Sequence, residues 1–186
     1  MTIAGQTATG GGICLKNYQL GINTNDVIIR YLRVRAGPGP HFDCEHHSIE
    51  TDRCSQVILD HCSLTWGTDE ALTYARSSDC TVQWCIIGQG LNISNHAEGA
   101  HSKTTMVAHG SKRTTYHHNL LVHAYDRNPR IHSEARDQVD ELILNDFRNN
   151  VIYNASEADP VTFVNEPFDT PKVETQNNLL TQIHLL

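Results

Sequence analysis

Thr114-Thr115-Tyr116-His117-His118-Asn119-Leu120-Leu121 is the stretch that decides the fold. It reads as a short β-run, a polar corner carrying Asn119, and a second short β-run. The same form returns at Val27–Val34, Val57–Leu64, Thr81–Ile87, Leu144–Ile152 and Val173–Leu180. Asn119, Asn150 and Asn178 share one corner slot, which Cys62 and Cys85 fill in earlier units. His61, Trp84, His118, Asn149 and Asn177 stand one position before it. From Cys62 to Asn178 the slot recurs every 23 to 34 residues, the period of solenoids. One such unit cannot bury its own apolar face, so units must stack. No long segment has a helical apolar period; alternation and β-branched residues dominate. Stacked parallel strands lie roughly 4.8 Å apart, close enough for corner asparagines to bond one another and the turn backbone. The pattern predicts an all-β parallel β-helix forming one domain over residues 1–186. A β-sandwich would need tighter hairpin signals than this chain carries.

The uneven intervals predict that loops leave the coil at one corner. The longest are Gly37–His46, Gly88–Ser102 and Ser133–Glu141. Long loops on a rigid solenoid usually build its binding face.

With 186 residues, 39% hydrophobic and 19% charged, the chain suits one globular domain with a continuous core. No apolar run approaches the roughly 20 residues that cross a bilayer, so no membrane partner is expected. Met1-Thr2-Ile3-Ala4-Gly5 shows no secretory signal. A net charge of −7 argues against a nucleic-acid partner. It leaves room for an anionic substrate, because a local basic cluster outweighs the total. The six cysteines show no CxxC spacing; they read as small buried hydrophobes, with a Cys44–Cys54 disulfide as the alternative.

Chemistry concentrates in Tyr125-Asp126-Arg127-Asn128-Pro129-Arg130-Ile131-His132. Pro129 fixes its own φ and pushes Asn128 toward an extended conformation. Arg127 and Arg130 are thus presented on stiff backbone, a way to aim cations at a polyanion. Taken with Tyr116-His117-His118-Asn119, this segment resembles the pectate lyases of polysaccharide lyase family 1. There an "HHN" strand precedes "RxPxxR"; here His132 replaces the last Arg. His101-Ser102-Lys103-Thr104-Thr105-Met106-Val107 resembles that family's "hDKTmLiG" strand. Val57-Ile58-Leu59-Asp60-His61-Cys62-Ser63-Leu64-Thr65-Trp66, followed by Asp69-Glu70, resembles its "vWiDHcslsw…DE" segment. The start, Thr2–Leu15, is similar to "iaGqTApGgGicl", and the likeness runs to about Asn150.

The resemblance implies a right-handed parallel β-helix of six to seven coils without the usual N-terminal cap. That leaves a trimmed chain or a coil end covered by a partner; otherwise a monomer is expected. It implies Arg127 as the base that removes the C5 proton of galacturonate and Lys103 as a carboxylate grip. Arg130 and His132 would add substrate contacts. Asp69 falls on a calcium-ligating carboxylate. The family's Asp-x-Asp pair falls on Glu45 and His47, and its next ligand on Thr73, with Glu70 and Asp43 as nearby substitutes. Calcium takes six to eight oxygens, so substrate and water would complete such a rearranged site. The expected reaction is calcium-assisted β-elimination of polygalacturonate by a secreted or periplasmic enzyme. The alternatives are a β-helix that binds acidic polysaccharide without cleaving it, and a lyase for another uronate polymer such as alginate.

Other residues read as structural. Asp60 and His61 sit at a repeat corner, so a stacking role outranks an acid/base dyad. His117 and His118, as strand neighbours, should point to opposite faces. A zinc site from His41, Glu45, His46 and His47 would need a convergence that no spacing enforces.

Overall fold

The computed structural model describes residues 1–39, 45–133, 144–155, 162–165, 172–176 and 178–181. Its strands run coil by coil. The first coil has β1 (Thr2–Ala4), β2 (Ile13–Lys16) and β3 (Leu20–Ile22); the second β4 (Val27–Arg30), β5 (Leu32–Arg35) and β6 (Ile49–Asp52). The third has β7 (Val57–Asp60), β8 (Ser63–Thr65) and β9 (Glu70–Ala75); the fourth β10 (Thr81–Gln83), β11 (Ile86–Gly88) and β12 (Lys103–Ala108). The fifth has β13 (Thr115–His117), β14 (Leu120–Val122) and β15 (Arg130–Ser133); the sixth β16 (Leu144–Arg148), β17 (Val151–Tyr153) and β18 (Thr162–Asn165). β19 (Lys172–Gln176) and β20 (Leu179–Thr181) begin a seventh. Each strand pairs in parallel with its counterparts one coil away, giving sheets of seven, seven and six strands. The chain is a parallel β-helix.

Alternation along each short strand points every second residue inward, and the register stacks those residues into columns. Ile29, Leu59, Val82, Tyr116 and Phe147 form one column. Val34, Leu64, Ile87, Leu121 and Ile152 form another. All ten are at most 2% exposed, and each such side chain contributes about 1.5–3 kcal/mol by burial.

The corner between the first and second sheets is the repeat slot. One residue per coil turns the chain in the left-handed region: Tyr31, His61, Trp84, His118 and Asn149, with φ of 53–56°. The residue after it points inward. Asn150 Oδ1 accepts from both Asn119 N–H and Asn119 Nδ2 at 3.0 Å, while Asn150 Nδ2 donates to the Tyr116 carbonyl at 3.0 Å. Asn178 repeats the pattern below Asn150. Above, Cys85 N–H donates to Asn119 Oδ1 and Cys62 N–H to Cys85 Sγ. Outside the corner, Tyr31, His61, Trp84 and His118 stack with centroid steps of 4.7, 6.1 and 4.5 Å. Asp60 and His61 are bonded at 2.6 Å within this stack. One sequence expectation fails: the His117 and His118 rings meet, Nδ1 to Nδ1, at 2.8 Å. His118 leaves the strand at φ 56°, so strand alternation no longer separates the two.

Loops Gly37–His46 and Gly88–Ser102 both leave between a second-sheet and a third-sheet strand, whereas Ser133–Glu141 joins third-sheet β15 to first-sheet β16, so the long loops do not share the single corner expected. Beyond Ser133, the loop Ser133–Glu141 lies outside the described residues, as do His41, Asp43 and Cys44, and with Cys44 the proposed disulfide. Cys14, Cys54, Cys62, Cys80 and Cys85 are free thiols, all but Cys14 buried.

Candidate active site

The third sheet carries most of the candidate residues, because the loop corner feeds directly into it. In β9, Thr73 stacks on Glu50 and Met106, and Met106 stacks on Arg130. At the strand starts Lys103 pairs with Glu70 on one side and bridges to Asp126 on the other. Residues far apart in sequence thus meet on adjacent rungs.

Two turns aim the side chains. Trp66, at φ 67°, and Gly67 bend the chain into β9. A Cβ on Gly67 would stand 2.4 Å from the Glu70 carbonyl oxygen, so only glycine permits this turn. Thr68 Oγ1 accepts the His46 N–H at 2.8 Å and Thr68 N–H donates to the His46 carbonyl, docking the loop that bears Glu45 and His47. The second turn is 123–129. Tyr125 and Asp126 N–H both donate to the Ser102 carbonyl, and Thr105 N–H donates to the Arg127 carbonyl. Asn128 is buried between Thr104 and the Ala124 carbonyl. The Asn128–Pro129 bond is cis and Arg127 takes φ 56°. Asp126 Oδ1 accepts the Arg127 N–H at 2.6 Å, which fixes that conformation.

Two charge pairs result. Lys103 Nζ lies 3.0 Å from Asp69 Oδ1, and His101 Nε2 reaches the same oxygen at 2.9 Å while also touching Nζ. Arg127 Nη1 contacts Oε1 of Glu70, whose side chain is fully buried. Oε2 of Glu70 lies 3.3 Å from His47 Nδ1 and accepts the Thr73 hydroxyl at 3.2 Å. Burial pushes the Asp69 carboxyl up, but Lys103, His47 and Arg127 together hold it below the usual range. Burial lowers the pKa of both His47 and His101, against the opposite pull of Asp69. Burial and the neighbouring Arg130 likewise lower Arg127, against the opposite pull of Asp69. The Nε–H groups of Arg127 and Arg130 are buried with no acceptor among the described residues. Arg130 also has no acidic partner there. A cleft of about 310 Å³ opens between the turn 123–125 and Ser102, lined in part by Ser102, His123, Tyr125 and Asn154.

No protein-family model matches the chain. Curated fungal proteins do match. Probable pectate lyase C of Aspergillus terreus is 33% identical over 156 residues, covering 83% of this chain and 32% of the relative. Probable pectate lyase C of Emericella nidulans is 34% identical over the same coverage. Over those 156 residues the chain is homologous to these probable pectate lyases. It spans about a third of the length of the curated relatives it matches.

Of the pectate lyase residues expected from sequence, the fold brings Lys103, Arg127, Asp69 and Glu70 into one cluster, with Arg130 on the same sheet face. Glu45 stays exposed, its Oε1 3.9 Å from His96 Nε2. His132 lies in β15, but its side chain is outside the described residues. Sequence reasoning missed His96 and His101, whose rings stack at 3.8 Å. It also missed that Glu70 meets Arg127; no local signal marks that contact, which depends on how coils align.

An acidic cluster able to hold a metal ion is present: Asp69, Glu70 and His47 offer one ligand atom each within 4.8 Å, and Asp69, His96 and His101 do the same. The donors fit calcium poorly. Calcium wants six to eight oxygens. Each triad includes an imidazole, and both carboxylates already carry a cation, Lys103 on Asp69 and Arg127 on Glu70. His96 is further committed, since its Nδ1 accepts the Glu98 N–H at 3.2 Å, which leaves the proton of the neutral ring on Nε2.

Proposed function

We propose that this chain carries the cleavage centre of a polysaccharide lyase that breaks polygalacturonate by β-elimination. One observation supports this reading most. Beside Lys103, Arg127 and Arg130 each carry a buried Nε–H with no hydrogen-bond acceptor among the described residues, that of Arg127 lying 3.9 Å from Asp126 Oδ2. Buried donors left without acceptors are rare, and a planar carboxylate is what a guanidinium fork matches best. A uronate carboxylate there would be neutralised, which acidifies the adjacent C5–H and stabilises the enolate that forms as it leaves. Arg127 takes that proton; burial and Arg130 shift it in the direction an arginine base requires. The C4–O4 bond then breaks, C4=C5 forms, and the departing oxygen takes a proton from water. Tyr125, 52% exposed at the wall of the neighbouring cleft, offers a platform for the next sugar. Such a polymer lies outside cells, so the enzyme would act as a secreted protein.

The test is ultraviolet absorbance of the 4,5-unsaturated product on polygalacturonate. Arg127→Ala should lose at least 100-fold in rate, on the scale of a positioned acid/base group. Full activity in that variant removes the mechanism. The contact of Arg127 with Glu70, which favours a charged guanidinium, supports a second reading: a β-helix that binds acidic polysaccharide without cleaving it. Binding with no unsaturated product would select it. Product from alginate and none from polygalacturonate would instead select a lyase of another uronate polymer.

A further inference from the structure

We infer that the substrate carboxylate is held by the protein's own cations, with Asp69 and Glu70 serving as their counter-ions and no divalent cation between protein and sugar. This rests on the lyase reading and specifies how the site holds its charge.

Four positions are where the family resemblance would place calcium ligands: Glu45, His47, Asp69 and Thr73. Of these, only Asp69 brings a carboxylate into the cluster. Glu45 has a side chain 65% exposed and faces His96. His47 places an imidazole nitrogen 3.3 Å from both Glu70 Oε2 and Thr73 Oγ1. Thr73 spends its hydroxyl proton on Glu70. Among the described residues, three of the four oxygens of Asp69 and Glu70 face a cation, an imidazole or a hydroxyl. Asp69 Oδ1 receives both Lys103 and His101. Glu70 receives Arg127 on one oxygen and His47 with Thr73 on the other.

A divalent ion on Asp69 would sit roughly 2.4 Å from the oxygen it binds. At Oδ1 that oxygen has Lys103 Nζ only 3.0 Å away, so ion and ammonium would crowd one another. A substrate carboxylate is instead attracted by Lys103 and by the guanidinium of Arg130, whose Nε–H has no acceptor among the described residues. The cation that neutralises the uronate is thereby built into the rungs.

The experiment has two arms on the full chain, stripped with chelator. Isothermal titration with calcium chloride should give no saturable binding below about 1 mM, the weak end of known protein calcium sites. Product formation from polygalacturonate should differ by less than about two-fold between excess EDTA and added calcium. Saturable binding tighter than that, or a ten-fold loss in EDTA, overturns the inference. If no product forms under either condition, the lyase reading fails, while the titration still judges the metal. A His47→Asp/Thr73→Asp double variant supplies two carboxylates and should bind calcium at least ten-fold more tightly than the parent. A folded double variant that still ignores calcium overturns the donor argument; circular dichroism reports its folding.

Discussion

Removing the carboxylate of Glu70 tests how the centre is held together. Its side chain has no solvent access, and that of Arg127 has 17%. Glu70→Gln keeps the shape but leaves a mostly buried guanidinium without its counter-charge. Stranding one member of a buried pair costs about 3–5 kcal/mol. The residual access of Arg127 places the expectation near the lower end, about 3 kcal/mol. For a chain of this size that lowers Tm by about 6–12 °C. Arg127→Gln should also destabilise, by about 2–3 kcal/mol, somewhat less because Glu70 keeps His47 and Thr73 as partners. The double variant strands neither charge, so it should cost about 2 kcal/mol less than the two singles added together. Urea unfolding of all four proteins at pH 7, with m-values compared, measures this coupling. Additivity to within about 0.5 kcal/mol would refute the claim that the two side chains form one buried unit.

Asn150→Ala should destabilise by about 2–4 kcal/mol in the same assay, because it strands the Asn119 N–H and the Tyr116 carbonyl inside the corner. Gly67→Ala drives a methyl into the Glu70 backbone at 2.4 Å and should cost at least about 2 kcal/mol and reduce any lyase rate. Gly11→Ala, whose methyl meets only Arg33 Nη2 at 3.8 Å, should change stability by less than about 0.5 kcal/mol. For Asp60, burial raises the carboxyl pKa, but hydrogen bonds from Gln83, His61 and Arg30 outweigh it and hold it below the ordinary value. A depressed folded pKa means its contribution is present above the unfolded value near pH 4 and fades as pH falls through the folded one. The parent should therefore exceed Asp60→Asn in stability by urea unfolding at pH 7, by under about 1 kcal/mol because Arg30 and His61 are partly exposed, and the gap should narrow steadily as pH falls below the unfolded value.

The corner between the first two sheets was legible in sequence because its rules are local. One residue must turn left-handed, the next must point inward and bond its neighbours, and Asn119, Asn150 and Asn178 carry that requirement in their residue type. His118 misled for the same reason: strand alternation assumes extended backbone, and a corner residue is not extended. The third sheet was harder to read. Its strands follow loops of different length, so β6, β9, β12 and β15 share no fixed offset from the repeat slot. Lys103, Arg127 and Asp69 were recognisable as kinds of residue in a familiar order, and Glu45 was picked by position alone, although its side chain turns to solvent.

Sequence by itself determined that this chain coils and stacks, since inward apolar columns and corner amides follow from spacing and residue type. Only the tertiary structure decided which charges meet. Register across coils sets Glu70 beside Lys103, and the turn at Arg127 delivers its guanidinium to Glu70. Neither fact is written in any one segment, because a contact between rungs depends on two loop lengths at once, while each segment specifies only its own backbone.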